Sequence, residues 1–164
     1  MPDATPTSAP TAVASALFAV PVETVWAYRL DFANLPDYNP DVRDVTRVAD
    51  GADHAVGGVY GRGARYTFDL ADPRRPGRYQ PIELWTVDAV APTLVAAGMS
   101  GGSEAYEEFF VTPHPEGGCE ATLTLWVTLP DGLSEDVVAA AAAASLQSIS
   151  DELRLMKEIL EGAA

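Results

Sequence analysis

The connections between its strand-like segments constrain this chain most. Four segments, Ile82 to Val90, Thr93 to Ser100, Glu104 to Thr112 and Cys119 to Leu129, are joined only by APT, GGS and PHPEGG. Parallel neighbours need a crossover of a dozen or more residues, so linkers this short impose an antiparallel meander. A sheet with one apolar face then needs a cover. The only segment long enough to supply it is the last. From about Ser134 to about Leu160 a helical stripe runs through Val138 or Ala139, Ala142, Leu146, Ile149, Leu153, Met156 and Leu160. Ser134 is its N-cap candidate, Glu135 and Asp136 suit the positive end of its dipole, and Gly162 is a stop signal.

Upstream, Val13 to Val20 is a short apolar strand candidate ending at Pro21. Val22, Val25, Trp26 and Leu30 then recur at spacings of three and four, which predicts a helix of two or three turns. Pro36 and Pro40 in DFANLPDYNP break its continuation into a short second helical turn. Val42 to Val48 reads as a strand, ADGADHAVGG as the connection after it, and VYGRGARYTFDL as the next strand. ADPRRPGRYQP is a solvated loop carrying Arg74, Arg75 and Arg78. The expected class is α+β. About six or seven antiparallel strands and two short helices form one domain over residues 12–164, after a Pro/Thr/Ala-rich tail over 1–11 with little fixed structure.

Composition narrows the function. Ten Lys+Arg against 24 Asp+Glu give a formal charge of −14, so nucleic acid and anionic membrane surfaces are poor partners. Neither a secretory leader nor an apolar run of about 20 residues is present, so no stable membrane insertion is expected. The single cysteine, Cys119, excludes an internal disulfide and a multi-thiolate zinc site, and it fits a reducing cytoplasm. Cys119 reads as a small packed residue and not a nucleophile. His54 and His114 both fall in turns, so no metal site is expected, and no phosphate loop, dinucleotide motif or nucleophile elbow points to a cofactor.

FAVPVETVWAYRLDFANLPDYNPDVRDV carries a strand running into an apolar-Pro turn, then Val25-Trp26, Asp31-Phe32, Asn34-Leu35-Pro36 and Tyr38-Asn39-Pro40. In this, and in its element order over residues 13 to 160, the chain resembles the START-like (SRPBCC) helix-grip superfamily, the polyketide cyclase/dehydrase and lipid-transport group. The resemblance implies a curved sheet wrapped around the long terminal helix, with a cavity between them for a small, largely apolar molecule such as a lipid, polyketide or aromatic metabolite. Some members are cyclases, aromatases or dehydratases, so metal-free proton transfer through Tyr, Arg and Glu is the alternative activity. Many members have Trp where this chain has Tyr38.

Room for a ligand requires side chains that fail to fill space. Ala139 to Ala144 present only methyl groups, whereas Leu146 and the later stripe residues would plug the cavity; alanine is also simply the best helix former. Alternation puts Tyr60, Arg62, Tyr66 and Phe68 on one strand face, inward on this reading, with Arg62 available to an anionic group. A register flipped by one sends Arg62 out and Arg65 in. In YEEFFVT one face carries Tyr106, Glu108 and Phe110, the other Glu107, Phe109 and Val111, so one glutamate must point inward. The expected ligand contacts are Tyr38, Tyr60, Arg62, Tyr66, Tyr106, Phe110, Ala142 and Leu146, and the candidates for proton transfer are Arg62, Tyr66, Tyr106 and Glu108.

Overall fold

The computed structural model describes residues 3–52 and 56–162; His54 lies outside them. Seven antiparallel strands form one sheet: β1 (Ala12–Phe18), β2 (Val42–Ala49), β3 (Arg65–Ala71), β4 (Tyr79–Val90), β5 (Leu94–Ser100), β6 (Ala105–Pro113) and β7 (Cys119–Val127). Their order is β1-β7-β6-β5-β4-β3-β2, so the four segments expected to form a meander are β4 to β7, β2 and β3 extend it, and the first strand returns to pair with the last. Between β1 and β2 the chain forms α1 (Val22–Leu30), a 3₁₀ turn (Phe32–Asn34) and α2 (Leu35–Tyr38); α3 (Glu135–Gly162) closes the chain. This is the helix-grip α+β arrangement.

Local chemistry sets these boundaries. Pro21 stands before α1 in an extended conformation, and Val22, Val25, Trp26, Arg29 and Leu30 turn one face of that helix inward. The Trp26 indole N–H donates to the Leu94 carbonyl at 2.9 Å, fixing α1 to the start of β5. Asp31 caps the 3₁₀ turn by accepting from the Ala33 N–H at 3.0 Å. The register aligns Phe68 with Ile82, Leu84 with Met99, Val95 with Phe109 and Phe109 with Leu123, so these side chains form the inner face. On the same face β1 offers Ala12, Ala14 and Ala16, small residues that admit the C-terminal half of α3. Lys157 donates to the Leu17 carbonyl at 2.5 Å and the Ala19 N–H donates to Glu161 at 2.7 Å, tying the end of α3 to the end of β1.

Two expectations change. The strand expected from Val59 starts only at Arg65, because Gly58–Tyr60 form a 3₁₀ turn and Gly63 adopts a left-handed φ of 88°. Residues 135–140 of α3 are all exposed, and Leu146, 45% exposed, is outside the core that holds Ile149, Leu153 and Met156. Only the later half of the helix grips the sheet. The segment over residues 3–11 lies against the outer face, where Trp126 donates to the Ser8 carbonyl at 3.0 Å and Thr5 bonds Glu108.

Gly118, at a φ of 72°, brings the backbone before β7 so close to Phe18 that a Cβ would collide with the Phe18 carbonyl oxygen. Gly117, at a φ of 100°, has open space there. Gly118→Ala is therefore expected to lose more stability than Gly117→Ala, whose cost is the left-handed conformation alone, about 1–3 kcal/mol. Urea denaturation of the two variants checks the order; equal losses would show that the β1 contact is not tight.

Candidate functional site

Because the first half of α3 does not press on the sheet, the core stays open beneath its middle. A cavity of about 220 Å³ lies there, lined by apolar side chains of the 3₁₀ turn and α2 (Phe32, Leu35), of strands β3 and β4 (Phe68, Ile82, Leu84) and of α3 (Ile149) among others. Its polar lining is Asn39, Gln80, Ser103, Glu107, Ser148 and Glu152. Gln80 and Ser103 also border an outer groove with Arg74 and Arg75, while Asn39, Ser148 and Glu152 border a groove between α2 and α3.

One wall of the cavity is a buried ion cluster. Arg29, 1% exposed, donates from Nη2 to Glu107 Oε1 at 2.6 Å and from Nη1 to Glu152 Oε2 at 3.0 Å. Asn39 donates to the other Glu152 oxygen at 2.9 Å. The guanidinium also lies 5.1 Å from the Tyr38 ring centroid, 5.4 Å from that of Phe109 and 5.7 Å from that of Phe32. Its Nε and the Tyr38 hydroxyl are buried with no hydrogen-bond partner.

Burial opposes the Arg29 charge, yet Glu107, Tyr38 and Glu152 hold its pKa above the ordinary arginine value. Burial pushes the Glu152 carboxyl above its ordinary range; Arg29 opposes that shift and Glu107 adds to it. The Tyr38 phenol is likewise pushed up by burial. The cluster therefore presents a shared negative charge and one carboxyl able to take a proton, with the Arg29 guanidinium fixed behind them. Among the described residues no group of three or more His, Cys, Asp or Glu side chains is arranged to hold a metal ion.

The residues named from sequence fall in several places. Tyr38 is fully buried beside the cluster, and Tyr66 is buried edge-on to Phe32 at 5.6 Å, its phenol pushed up to about 12 by burial. Neither lines the cavity. Tyr60 is half-buried against Arg47 beside the edge strand β2. Arg62 is exposed in the turn before β3, on the outer side with Tyr106 and Asp88, so its inward placement is corrected. Tyr106, Glu108 and Phe110 are corrected as a set. Glu107 pairs with Ala97 and Leu125 on the inner face, which turns its two neighbours outward, and Phe110 is 47% exposed. Ala142 and Leu146 sit on the overhanging half of α3, away from the cavity. His114 lies half-buried in the β6–β7 turn, and Cys119 is buried with its thiol directed to the Val20 carbonyl at 3.4 Å.

Arg29, Asn39, Glu107 and Glu152 are the side chains that reading for apolar stripes passed over. Two of them had a signal. Arg29 is seven residues after Val22 and four after Val25, and Glu152 is three after Ile149 and four before Met156, so each is a charge set into a buried helical stripe.

The sequence matches the family described as polyketide cyclase / dehydrase and lipid transport over residues 9–161. None of the curated proteins matches it. Among solved structures, a START superfamily protein from Mycobacterium smegmatis is similar at 16% identity and a TM-score of 0.70, over 90% of this chain and 97% of that one. The protein TTHA0849 from Thermus thermophilus is similar at 18% identity and a TM-score of 0.62, over 93% and 98%. The di-domain ARO/CYC StfQ from the steffimycin biosynthetic pathway is similar at 14% identity and a TM-score of 0.68, over 92% of this chain and 50% of that one. At these identities the likeness concerns the fold.

Two outcomes follow from the ion cluster. Arg29→Met leaves Glu107 and Glu152 buried without a counter-charge and is expected to cost about 3–5 kcal/mol, read by urea denaturation at neutral pH. For Glu152, a folded pKa above the unfolded value means that its contribution to stability is complete below the ordinary glutamate value of about 4.3 and is lost as pH rises through the folded value. The stability of the wild type relative to Glu152→Gln should therefore fall from acid to neutral pH; a flat or rising difference would refute the upward shift.

Proposed function

We propose, because this chain belongs to the polyketide cyclase / dehydrase and lipid transport family, that it binds a small, largely apolar molecule in the cavity between the sheet and α3. The observation that carries this reading is the cavity itself, about 220 Å³ of space left between mostly apolar side chains where protein interiors are normally close-packed. Its size is somewhat below that of a pocket for a drug-sized ligand, about 300 Å³ or more, and suits a compact aromatic or a short chain. One buried thiol and a strongly acidic surface fit a protein of the cytoplasm that takes its ligand from solution. No helix among the described residues is long and apolar enough to cross a membrane.

A second reading, an enzyme of the cyclase or dehydratase kind, draws support from Glu107 and Glu152 in the cavity wall. Glu152, with its raised pKa, is suited to exchange a proton with a substrate enol or hydroxyl. On this reading acid-base work belongs to that pair, because Tyr106 and Glu108 face outward.

Native mass spectrometry of the freshly purified protein, followed by denaturation and identification of any released molecule, tests the binding reading. A stoichiometric apolar adduct is expected. Ala105 lines the cavity on the face of Glu107, so Ala105→Phe should abolish the adduct without loss of fold. Ala142→Leu, on the overhanging part of α3, should retain it. An adduct that survives Ala105→Phe would place the ligand elsewhere.

A further inference from the structure

The inner end of the cavity is asymmetric in its hydrogen-bonding. Glu107 and Glu152 line it, whereas Arg29, whose charge they share, lies behind them. Both Glu152 oxygens are taken, one by Arg29 and one by Asn39. Glu107 gives Oε1 to Arg29, but Oε2 accepts no hydrogen bond among the described residues, although the residue is only 7% exposed. Two carboxylates against one guanidinium leave the cluster with a net negative charge when both are ionised. Oε2 is not among the side-chain atoms buried without a partner, so it meets the open cavity, and a ligand that covers it without donating leaves a charged acceptor unmade among apolar walls, at a cost.

A bound group that donates a hydrogen bond relieves that cost. A group that brings another negative charge adds to it. The second point discriminates, because the outer groove near Gln80 and Ser103 has Arg74 and Arg75 to receive an anion, and the lining of the inner end includes no cation among the described residues. The two ends of the cavity thus call for opposite chemistry.

We propose that the inner end recognises a hydrogen-bond donor, a hydroxyl or a protonated amine, carried at the tip of an otherwise apolar ligand and directed at Glu107 Oε2. This rests on the reading that the cavity takes an apolar molecule, and it specifies the polar group such a molecule carries. The donor completes the Glu107 carboxylate on the side that Arg29 does not reach, while the ring or chain behind it lies against Phe68, Ile82 and Leu84.

Fluorescence titration of the whole protein with four probes of one size tests this: 2-methylnaphthalene, 2-naphthol, 2-naphthylmethylammonium and 2-naphthoate. Binding of 2-methylnaphthalene tests the cavity alone, and if none of the four binds, the cavity reading fails and this inference falls with it. At least one donor probe should bind about tenfold tighter than 2-methylnaphthalene, the ratio expected of one hydrogen bond to a charged acceptor. The alcohol and the ammonium ion separate the two donor sources. That advantage should shrink in Glu107→Gln, and the wild-type ratios decide the matter if the variant does not fold. No donor advantage, or a carboxylate that binds as tightly as the best donor, overturns the proposal. If carboxylate binding is also lost in Arg74→Gln/Arg75→Gln, the polar group belongs at the outer mouth instead.

Discussion

The contact on which most of this structure depends is the Arg29 guanidinium held between Glu107 and Glu152. It joins α1, the interior strand β6 and α3, through glutamates 78 and 123 residues away from Arg29 in sequence, and Asn39 adds the residue after α2. Desolvating three charges costs about as much as their attraction returns, and an apolar replacement of all three could be equally stable. What the cluster adds is position. A buried carboxylate on α3 has one place where a counter-charge exists, so the helix cannot slide or rotate along the apolar inner face without leaving Glu152 unpaired. Apolar packing alone would tolerate such shifts far better.

That constraint also explains why a cavity can persist. The later half of α3 is fixed by Ile149, Leu153 and Met156, by Glu152 on Arg29, and by Lys157 and Glu161 on the end of β1. With the helix pinned at that end, its first half extends past the sheet, and Val137 and Val138 remain exposed. Collapse of α3 onto Leu125 and Val127 would fill the space but would pull Glu152 from its partner.

The fold was legible in the sequence because it follows from short linkers and one long stripe, both local patterns. The inner face of β6 was not, since two glutamates side by side give each face one carboxylate, and the face with more aromatic side chains, Tyr106 and Phe110, is the outer one. What settles it is non-local: Glu107 stands opposite Ala97 and Leu125, and Arg29, far away in sequence, neutralises it. Tyr106 looked like an inner residue for a related reason. It is buried, but under the segment over residues 3–11 and beside Trp126, with ring centroids 5.7 Å apart, so its burial belongs to the outer face. Arg62 failed differently. The alternation that placed it was real from Arg65 onward, but the 3₁₀ turn over Gly58–Tyr60 and the left-handed Gly63 keep the strand from reaching back to it.

The alanine run of α3 shows how a sound physical premise can point to the wrong place. Small side chains do leave room, and α3 does leave room, but the space is not opposite Ala139 to Ala144. It lies deeper, by Ser148 and Ile149, where α3 stops overhanging and begins to pack, and the sheet opposite supplies the walls. Ala139, Ala140, Ala143 and Ala144 are exposed and Ala141 and Ala142 only half-buried, so helix propensity suffices to explain the run. The small residues that matter for packing are on β1, where Ala12, Ala14 and Ala16 bring α3 close enough for Glu152 to reach Arg29. In a helix-grip domain, the size of the cavity is then set as much by what lets the helix approach as by what the helix itself presents.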